Sequence, residues 1–251
     1  MVGTTMPATG NKSIISYRLS IRLCADGFSF LVNSNDSGQL LFCVNVHQTE
    51  GESLAESLER GLQQPRIKGR VYERVILYST LPSTRLPLDE FRREDMLAVY
   101  RMTFAGTQIR YEDMRCQVLS ALEVVEVFPL HSQVEQALHK YYPNALIQGI
   151  YGSMLERVAQ MQQGSTMPVA FNVVLDGDMM LIAVLKNGRL SYANVFKTKR
   201  DADRLYYTLL VWKILELDTW HDHCLLYGAT DEFQKMVGQY LYNIQTDKCV
   251  L

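Results

Sequence analysis

Residues 167–196 read Met-Pro-Val-Ala-Phe-Asn-Val-Val-Leu-Asp-Gly-Asp-Met-Met-Leu-Ile-Ala-Val-Leu-Lys-Asn-Gly-Arg-Leu-Ser-Tyr-Ala-Asn-Val-Phe, and the fold is decided there. Asp176-Gly177 and Asn187-Gly188 cut this apolar, β-branched run into three segments, and both dipeptides suit the positive φ of two-residue hairpin turns. The stretch predicts a meander of three antiparallel strands. Met179 to Leu185 is apolar at every position, which suits a middle strand covered on both faces.

Working outward, a second meander lies near the N-terminus. Leu19, Ile21 and Leu23 alternate with Ser20, Arg22 and Cys24, Asp26-Gly27 follows, and Phe28, Phe30 and Val32 alternate with Ser29 and Asn33, Leu31 being the exception. A polar turn, Ser34 to Gly38, leads into Leu40 to Val46. Each meander runs on into a helix and another strand. Ser53 with Glu56 is a capping box opening a helix that carries Leu54, Leu58 and Leu62. The later helix opens near Asp201 and carries Ala202, Leu205, Leu209 and Trp212. The following strands are Val71 to Ser79 and Cys224 to Tyr227. Asp26 and Asp176, like Gly27 and Gly177, stand 150 positions apart, and with the shared order of elements they indicate an internal duplication.

The first half carries extra material. Pro82 and Pro87 bound a loop, Leu88 to Met102 is helix-like, and Cys116 to Leu122 pairs with Val124 to Phe128 as strands. A helix with Val134, Leu138 and Tyr141 stops at Tyr142-Pro143, before a short strand at Ala145 to Ile150 and a helix to about Met161. The organisation expected is a loose tail over 1–16, a first lobe over 17–163 and a second over 164–251, divided at Gln163-Gly164-Ser165-Thr166. The chain should end on a helix from Asp231 to Tyr242.

Composition sets limits. A net charge of -2 over 251 residues gives no global field to recruit nucleic acid, so a protein partner is expected rather than a nucleic acid, with the oligomeric state open. No run approaches the roughly 20 apolar residues of a membrane span, so no membrane insertion is expected. The first sixteen residues lack the apolar core of a secretory signal, and the reading is cytoplasmic. Cys24, Cys43, Cys116, Cys224 and Cys249 are odd in number with no C-x-x-C spacing, and read as reduced thiols.

Three antiparallel strands followed by helix, strand and helix is the ribonuclease-H-like order, and two such units in tandem resemble the actin, sugar kinase and Hsp70 superfamily. Leu-Ser-Ile-Arg-Leu-Cys-Ala-Asp-Gly-Phe-Ser-Phe at 19–30, Phe-Pro-Leu-His-Ser-Gln-Val-Glu-Gln-Ala-Leu at 128–138 and Val-Leu-Lys-Asn-Gly-Arg-Leu at 184–190 resemble a Bacteroidetes family known as domain of unknown function 3822. The resemblance implies an α/β protein of two ribonuclease-H-like lobes in an actin-like ATPase arrangement, each a mixed sheet flanked by helices. More distantly the chain resembles the actin-like proteins of type IV pilus and type II secretion assembly.

Members that use ATP cradle phosphate on the turn between the first two strands of each half, with an Asp on Mg2+ or the attacking water. Carried over, the resemblance points to Asp26-Gly27 and Asp176-Gly177, and to Gly228 in Tyr227-Gly228-Ala229-Thr230 for the adenosine side. Phosphate needs several backbone N–H groups converging on its oxygens. Gly27 is followed at once by Phe28 and Gly177 by Asp178, so both turns are poor in donors. Hairpin geometry explains them without a ligand. The reading adopted is an interaction or scaffold protein without cofactor or turnover, no residue being assigned to catalysis or to a metal. The alternative is an ATP and Mg2+ binder using Asp26, Gly27, Asp176, Gly177 and Gly228. A two-metal nuclease would draft Asp176, Glu216 and Asp231, which nothing singles out from surface acids. His221-Asp222-His223 lacks a third metal ligand, and the basic residues Arg66, Lys68, Arg70 and Arg74 read as a solvated run.

Overall fold

The computed structural model describes residues 16–247, so Cys249 and all of the expected tail but Ser16 lie outside the described residues. The chain opens with β1 (Tyr17–Cys24), β2 (Gly27–Ser34) and β3 (Leu40–His47), then α1 (Leu54–Leu62) and β4 (Tyr72–Ser79). β5 (Thr84–Pro87), α2 (Met96–Thr103), β6 (Met114–Leu119) and β7 (Val124–Pro129) follow, then α3 (Ser132–Tyr141), β8 (Leu146–Gly149) and α4 (Ile150–Met161). The rest is β9 (Val169–Asp176), β10 (Met179–Lys186), β11 (Arg189–Lys197), α5 (Asp201–Ile214), β12 (His223–Tyr227), α6 (Asp231–Val237) and β13 (Ile244–Asp247).

Two five-stranded mixed sheets repeat one strand order, β3-β2-β1-β4-β8 and β11-β10-β9-β12-β13, and β5-β7-β6 is a third, smaller sheet. In each large sheet the first strand pairs antiparallel with the second and parallel with the fourth. The contacts divide the chain into two compact units: residues up to Tyr78 with His131–Ile147, and Ser79–Leu130 with Gln148 onward.

Three expectations need correction. The loop between Pro82 and Pro87 contains β5, an edge strand, which is where a Pro without its N–H is tolerated. The helix expected from Leu88 begins only at Met96, after a 3-10 turn at Arg93–Asp95. The last helix ends at Val237 rather than Tyr242, and Ile244–Asp247 pairs parallel with β12 as a short polar strand.

The repeat is visible in what the strands bury. β1 begins at Tyr17 and β9 at Val169, β2 at Gly27 and β10 at Met179, so the structural offset is 152 positions. At that offset Leu19, Ile21, Leu23, Phe28, Phe30 and Val32 match Phe171, Val173, Leu175, Met180, Ile182 and Val184, and all twelve are buried. Each such side chain taken out of water contributes roughly 1.5–3 kcal/mol. In the first unit α1 covers this face. Its N-terminus is closed by the reciprocal Ser53 and Glu56 bonds, and a Cβ on Gly61 would come within 2.2 Å of the Phe30 ring. In the second unit Val211 and Trp212 of α5 and Phe233 and Val237 of α6 complete the cluster.

The opposite faces differ. On the second sheet Ala170, Asn172, Val174, Leu181, Ala183 and Leu185 are also buried, as expected for β10. Gln162, the C-cap of α4, donates to Asn172 in the middle of that face. The matching residues of the first sheet are Arg18, Ser20, Arg22, Ser29, Leu31 and Asn33, none of them buried. No helix long and apolar enough to cross a membrane occurs among the described residues.

Candidate functional site

The strand registers decide what the two turns present. β1 and β2 pair Cys24 with Gly27, which leaves Ala25-Asp26 as the turn. β9 and β10 pair Asp176 with Met179, which leaves Gly177-Asp178 as the turn. Asp26 therefore corresponds to Asp178, and Asp176 to Cys24. The 150-position match of the two Asp-Gly pairs is two residues out of register, because one dipeptide straddles a strand start and the other a strand end.

The glycines consequently do different work. Gly177 holds φ 56° at the first central position of its turn, where a positive φ is needed. Gly27 holds φ 143° inside the sheet, and a Cβ there would fall 2.1 Å from the Val46 carbonyl oxygen. Asn187 and Gly188 both take positive φ, as the Asn-Gly reading requires.

The polar groups at these turns are engaged. The Asp26 carbonyl accepts from Gln48 N–H at 2.7 Å and the Asp178 carbonyl from Thr198 N–H at 2.7 Å, the same bond in both halves. The Asp26 carboxylate meets His47 Nδ1 at 2.8 Å. Arg204 donates to the Gly177 carbonyl and to Asp201, both at 2.7 Å. Cys24, at the position matching Asp176, has its thiol pushed up by burial and by Asp26.

In the second sheet Tyr227 pairs with Val174, so Asp176, Gly177 and Gly228 gather at the carboxyl end of the parallel strands β9 and β12. That end of an open α/β sheet is where ligands bind. Gly228, at φ 70°, donates its N–H to the Asp247 carbonyl at 2.9 Å, and Thr230 caps α6 by accepting from Phe233 N–H at 3.1 Å. Asp26 and Gly27 belong to the other compact unit.

Sequence reasoning did not single out a buried polar network close to Asp176. Glu126 on β7 is fully buried; its Oε1 accepts from Ser83 at 2.6 Å and Arg85 at 3.2 Å, and its Oε2 from Gln117 at 2.9 Å. The Gly152 N–H in the first turn of α4 also donates to it, and a Cβ on Gly152 would overlap Oε2. Burial pushes the carboxyl up while Arg85 and Ser83 hold it down. Tyr151, on the same turn, is pushed up to about 12 by burial with help from Asp176 and Glu126, so it stays a neutral phenol. The available signal was one acid inside the apolar run Val124-Val125-Glu126-Val127-Phe128, a position an acid keeps only when paired. Beside it, a cleft of about 380 Å³ runs between Ser83–Pro87 and Leu190–Asn194, with Thr103, Phe104 and Val124.

The remaining candidates are not brought together. Glu216 lies past the C-terminus of α5, before β12 starts, whereas Asp176 and Asp231 lie at the end where β12 finishes, so the drafted nuclease carboxylates do not converge. His221 is exposed and meets Asp218 at 3.0 Å, whose Oδ1 also takes the N–H groups of Trp220 and His221. No group of three His, Cys, Asp or Glu among the described residues is placed to hold a metal. Of the basic run, Arg70 lies over the Tyr17 and Phe42 rings at 5.1 and 5.2 Å, while Arg74 sits on β4 opposite Arg18.

Two mixed sheets of identical order, each with helices between its third, fourth and fifth strands, define the actin-like ATPase fold. A Bacteroides thetaiotaomicron VPI-5482 protein described as having that fold and unknown function matches with TM-score 0.73 at 23% identity, over 94% of this chain and 92% of its own. The chain belongs to the family described as protein of unknown function (DUF3822), whose model matches residues 9–244. A PilM-PilN type IV pilus biogenesis complex matches with TM-score 0.50 at 11% identity, over 92% of this chain and 88% of that one. No curated protein matches in sequence.

Proposed function

We propose that this chain is a cytoplasmic interaction or scaffold protein on an actin-like ATPase fold, without nucleotide turnover. The observation that carries the reading is the state of the turns. Phosphate binding requires backbone donors that point outward and are not yet spent. Here the Gly228 N–H is already given to Asp247, and the Arg204 guanidinium beside the second turn is given to the Gly177 carbonyl and to Asp201. The register puts one carboxylate, Asp176, at the end of a first strand and a thiol, Cys24, at its counterpart. These residues do not fit a triphosphate and its Mg2+ shared between two matched turns, so no step through nucleotide is derived. The pilus biogenesis relative is a complex with a second protein, and supports the reading by analogy of fold.

The competing reading, an ATP and Mg2+ binder, draws on one observation: Asp176, Gly177 and Gly228 share the carboxyl end of β9 and β12. Thermal denaturation with and without MgATP separates the two. Ligand at a hundred times its dissociation constant adds about 2.7 kcal/mol of stability. No shift is expected. A rise in Tm that disappears in Asp176→Ala, with the fold intact by circular dichroism, overturns the proposal in favour of the binder.

A further inference from the structure

We infer that the cleft between β5 and β11 takes an extended segment of a partner protein, which adds as one strand to both sheet edges at once. This gives a partner class to the scaffold reading above and rests on it.

Two observations carry the inference. The first is where the cleft lies. β5 is an edge of the small sheet and β11 an edge of the second large sheet. The unbroken runs Ser83–Pro87 and Leu190–Asn194 line the cleft, both within one compact unit. Side chains of a strand alternate between its two faces, so consecutive residues share one cavity when it runs along the strand's edge. At about 380 Å³ this one has the size of a ligand pocket.

The second is which backbone groups face it. In an antiparallel ladder, alternate residues turn their N–H and C=O toward the neighbouring strand, and the residues between them turn theirs away. The Leu88 N–H donates to the Glu123 carbonyl at 2.9 Å, which continues the β5 and β7 register and sets Thr84 and Leu86 toward β7 and Arg85 outward. The Leu130 N–H donates to the Asp113 carbonyl at 2.7 Å, which turns Glu126, opposite Arg85, toward β6 and agrees with that parity. On the other wall the Thr198 N–H donates to the Asp178 carbonyl at 2.7 Å, which sets Tyr192 and Asn194 toward β10 and Ala193 and Val195 outward. Val195 shows what such a position demands: its N–H is taken by the Asn194 side chain at 2.9 Å. The main-chain N–H and C=O of Arg85 and Ala193, inside the cleft, have no such local partner among the described residues. An extended main chain carries donors and acceptors on both of its edges and so meets both walls, whereas a helix has spent its own.

The probe is a capped peptide of about seven alternating Thr and Val residues, followed by fluorescence anisotropy on the full chain, with twins N-methylated at either the odd or the even positions. A strand lying on one edge is weakened by one set of methyl groups; a strand between two edges is weakened by either. Saturable binding is expected, at least about tenfold weaker in each twin. Ala193→Pro removes one outward N–H and no ladder bond, and should weaken binding about tenfold. Val195→Pro, whose N–H is already taken, should stay within about twofold. Amide hydrogen exchange at Arg85 and Ala193 should slow together on binding. No saturable binding, sensitivity to one twin only, protection of one edge only, or equal losses from the two proline variants overturns the inference. A concentration-dependent dimer that protects Arg85 and Ala193 also overturns it, in favour of a second copy of this chain. Failure here with no MgATP shift removes the docking cleft alone; a MgATP shift removes the scaffold reading beneath it.

Discussion

The two five-stranded sheets share order, register and one buried face, and part company on the other. Where β1 and β2 of the first sheet place Arg18, Ser20, Arg22 and Ser29, the second sheet places Ala170, Asn172, Val174 and Leu181. An antiparallel meander tolerates either solution, since one of its faces is free to meet water. The backbone of a duplicated unit can thus be preserved while one side of it is reassigned, and the reassignment is written in alternate residues of just two strands.

The sharpest way to break that comparison is to exchange residues between the sheets. Ala170→Arg sets an uncompensated charge into a face that is 3% exposed at that point; it should cost about 4 kcal/mol or more in urea denaturation. Its mirror image, Arg18→Ala, should stay within about 0.5 kcal/mol. Equal losses from both would show that the faces are equally packed. The shared face predicts parity instead: Phe30→Ala and Ile182→Ala, matched at the 152-position offset, should each lose roughly 3–4 kcal/mol. A several-fold disparity would mean that one of the two cores contributes little.

Smaller effects sharpen the contrast. Asn172 donates to the Ala170 and Ala183 carbonyls at 3.0 and 3.1 Å while accepting from Gln162. Asn172→Ala should therefore cost about 1–3 kcal/mol, and Ser20→Ala at the matching place almost nothing, both read from denaturation midpoints. The smallest expected effect is a pH response of the first unit alone. Glu52 is lowered to about 2 by Arg60 and the Thr49 N–H. Its folded value lies below the ordinary 4.5, so its contribution is present above 4.5 and is lost as pH falls from there toward 2. Glu52→Gln should flatten the stability profile across that acid window, lowering stability slightly at neutral pH and leaving it unchanged below about pH 2.

Much of this architecture was legible in the sequence, and the reasons are local. Alternation in β1 and β2, the unbroken apolar run of β10, the Asn187-Gly188 turn and the Ser53 and Glu56 cap each express a backbone requirement within a few residues. β13 was hidden because Ile244-Gln245-Thr246-Asp247 has almost no apolar period and is held by its pairing with β12. β5 was hidden by its closing Pro87. The candidate site was misaligned for a more instructive reason. Asp-Gly draws the eye as a turn, yet Gly27 is a sheet residue excluded from carrying a side chain by Val46, and the true repeat lies in the parity of buried residues. The Glu126 network was beyond reach because its partners come from β5, β6, β7 and α4, a convergence that only tertiary structure creates.

The division of the chain into its two units has a consequence for biosynthesis. α3 and β8, which complete the first sheet's unit, are encoded after Ser79–Leu130, a stretch that belongs to the other unit. At roughly 5–20 residues per second the ribosome needs several seconds to pass that stretch. During this interval the nascent β4 edge has no neighbour. A chaperone that shields unpaired edges has its window there, and a stalled message truncated near Leu130 yields a fragment with an unfinished sheet.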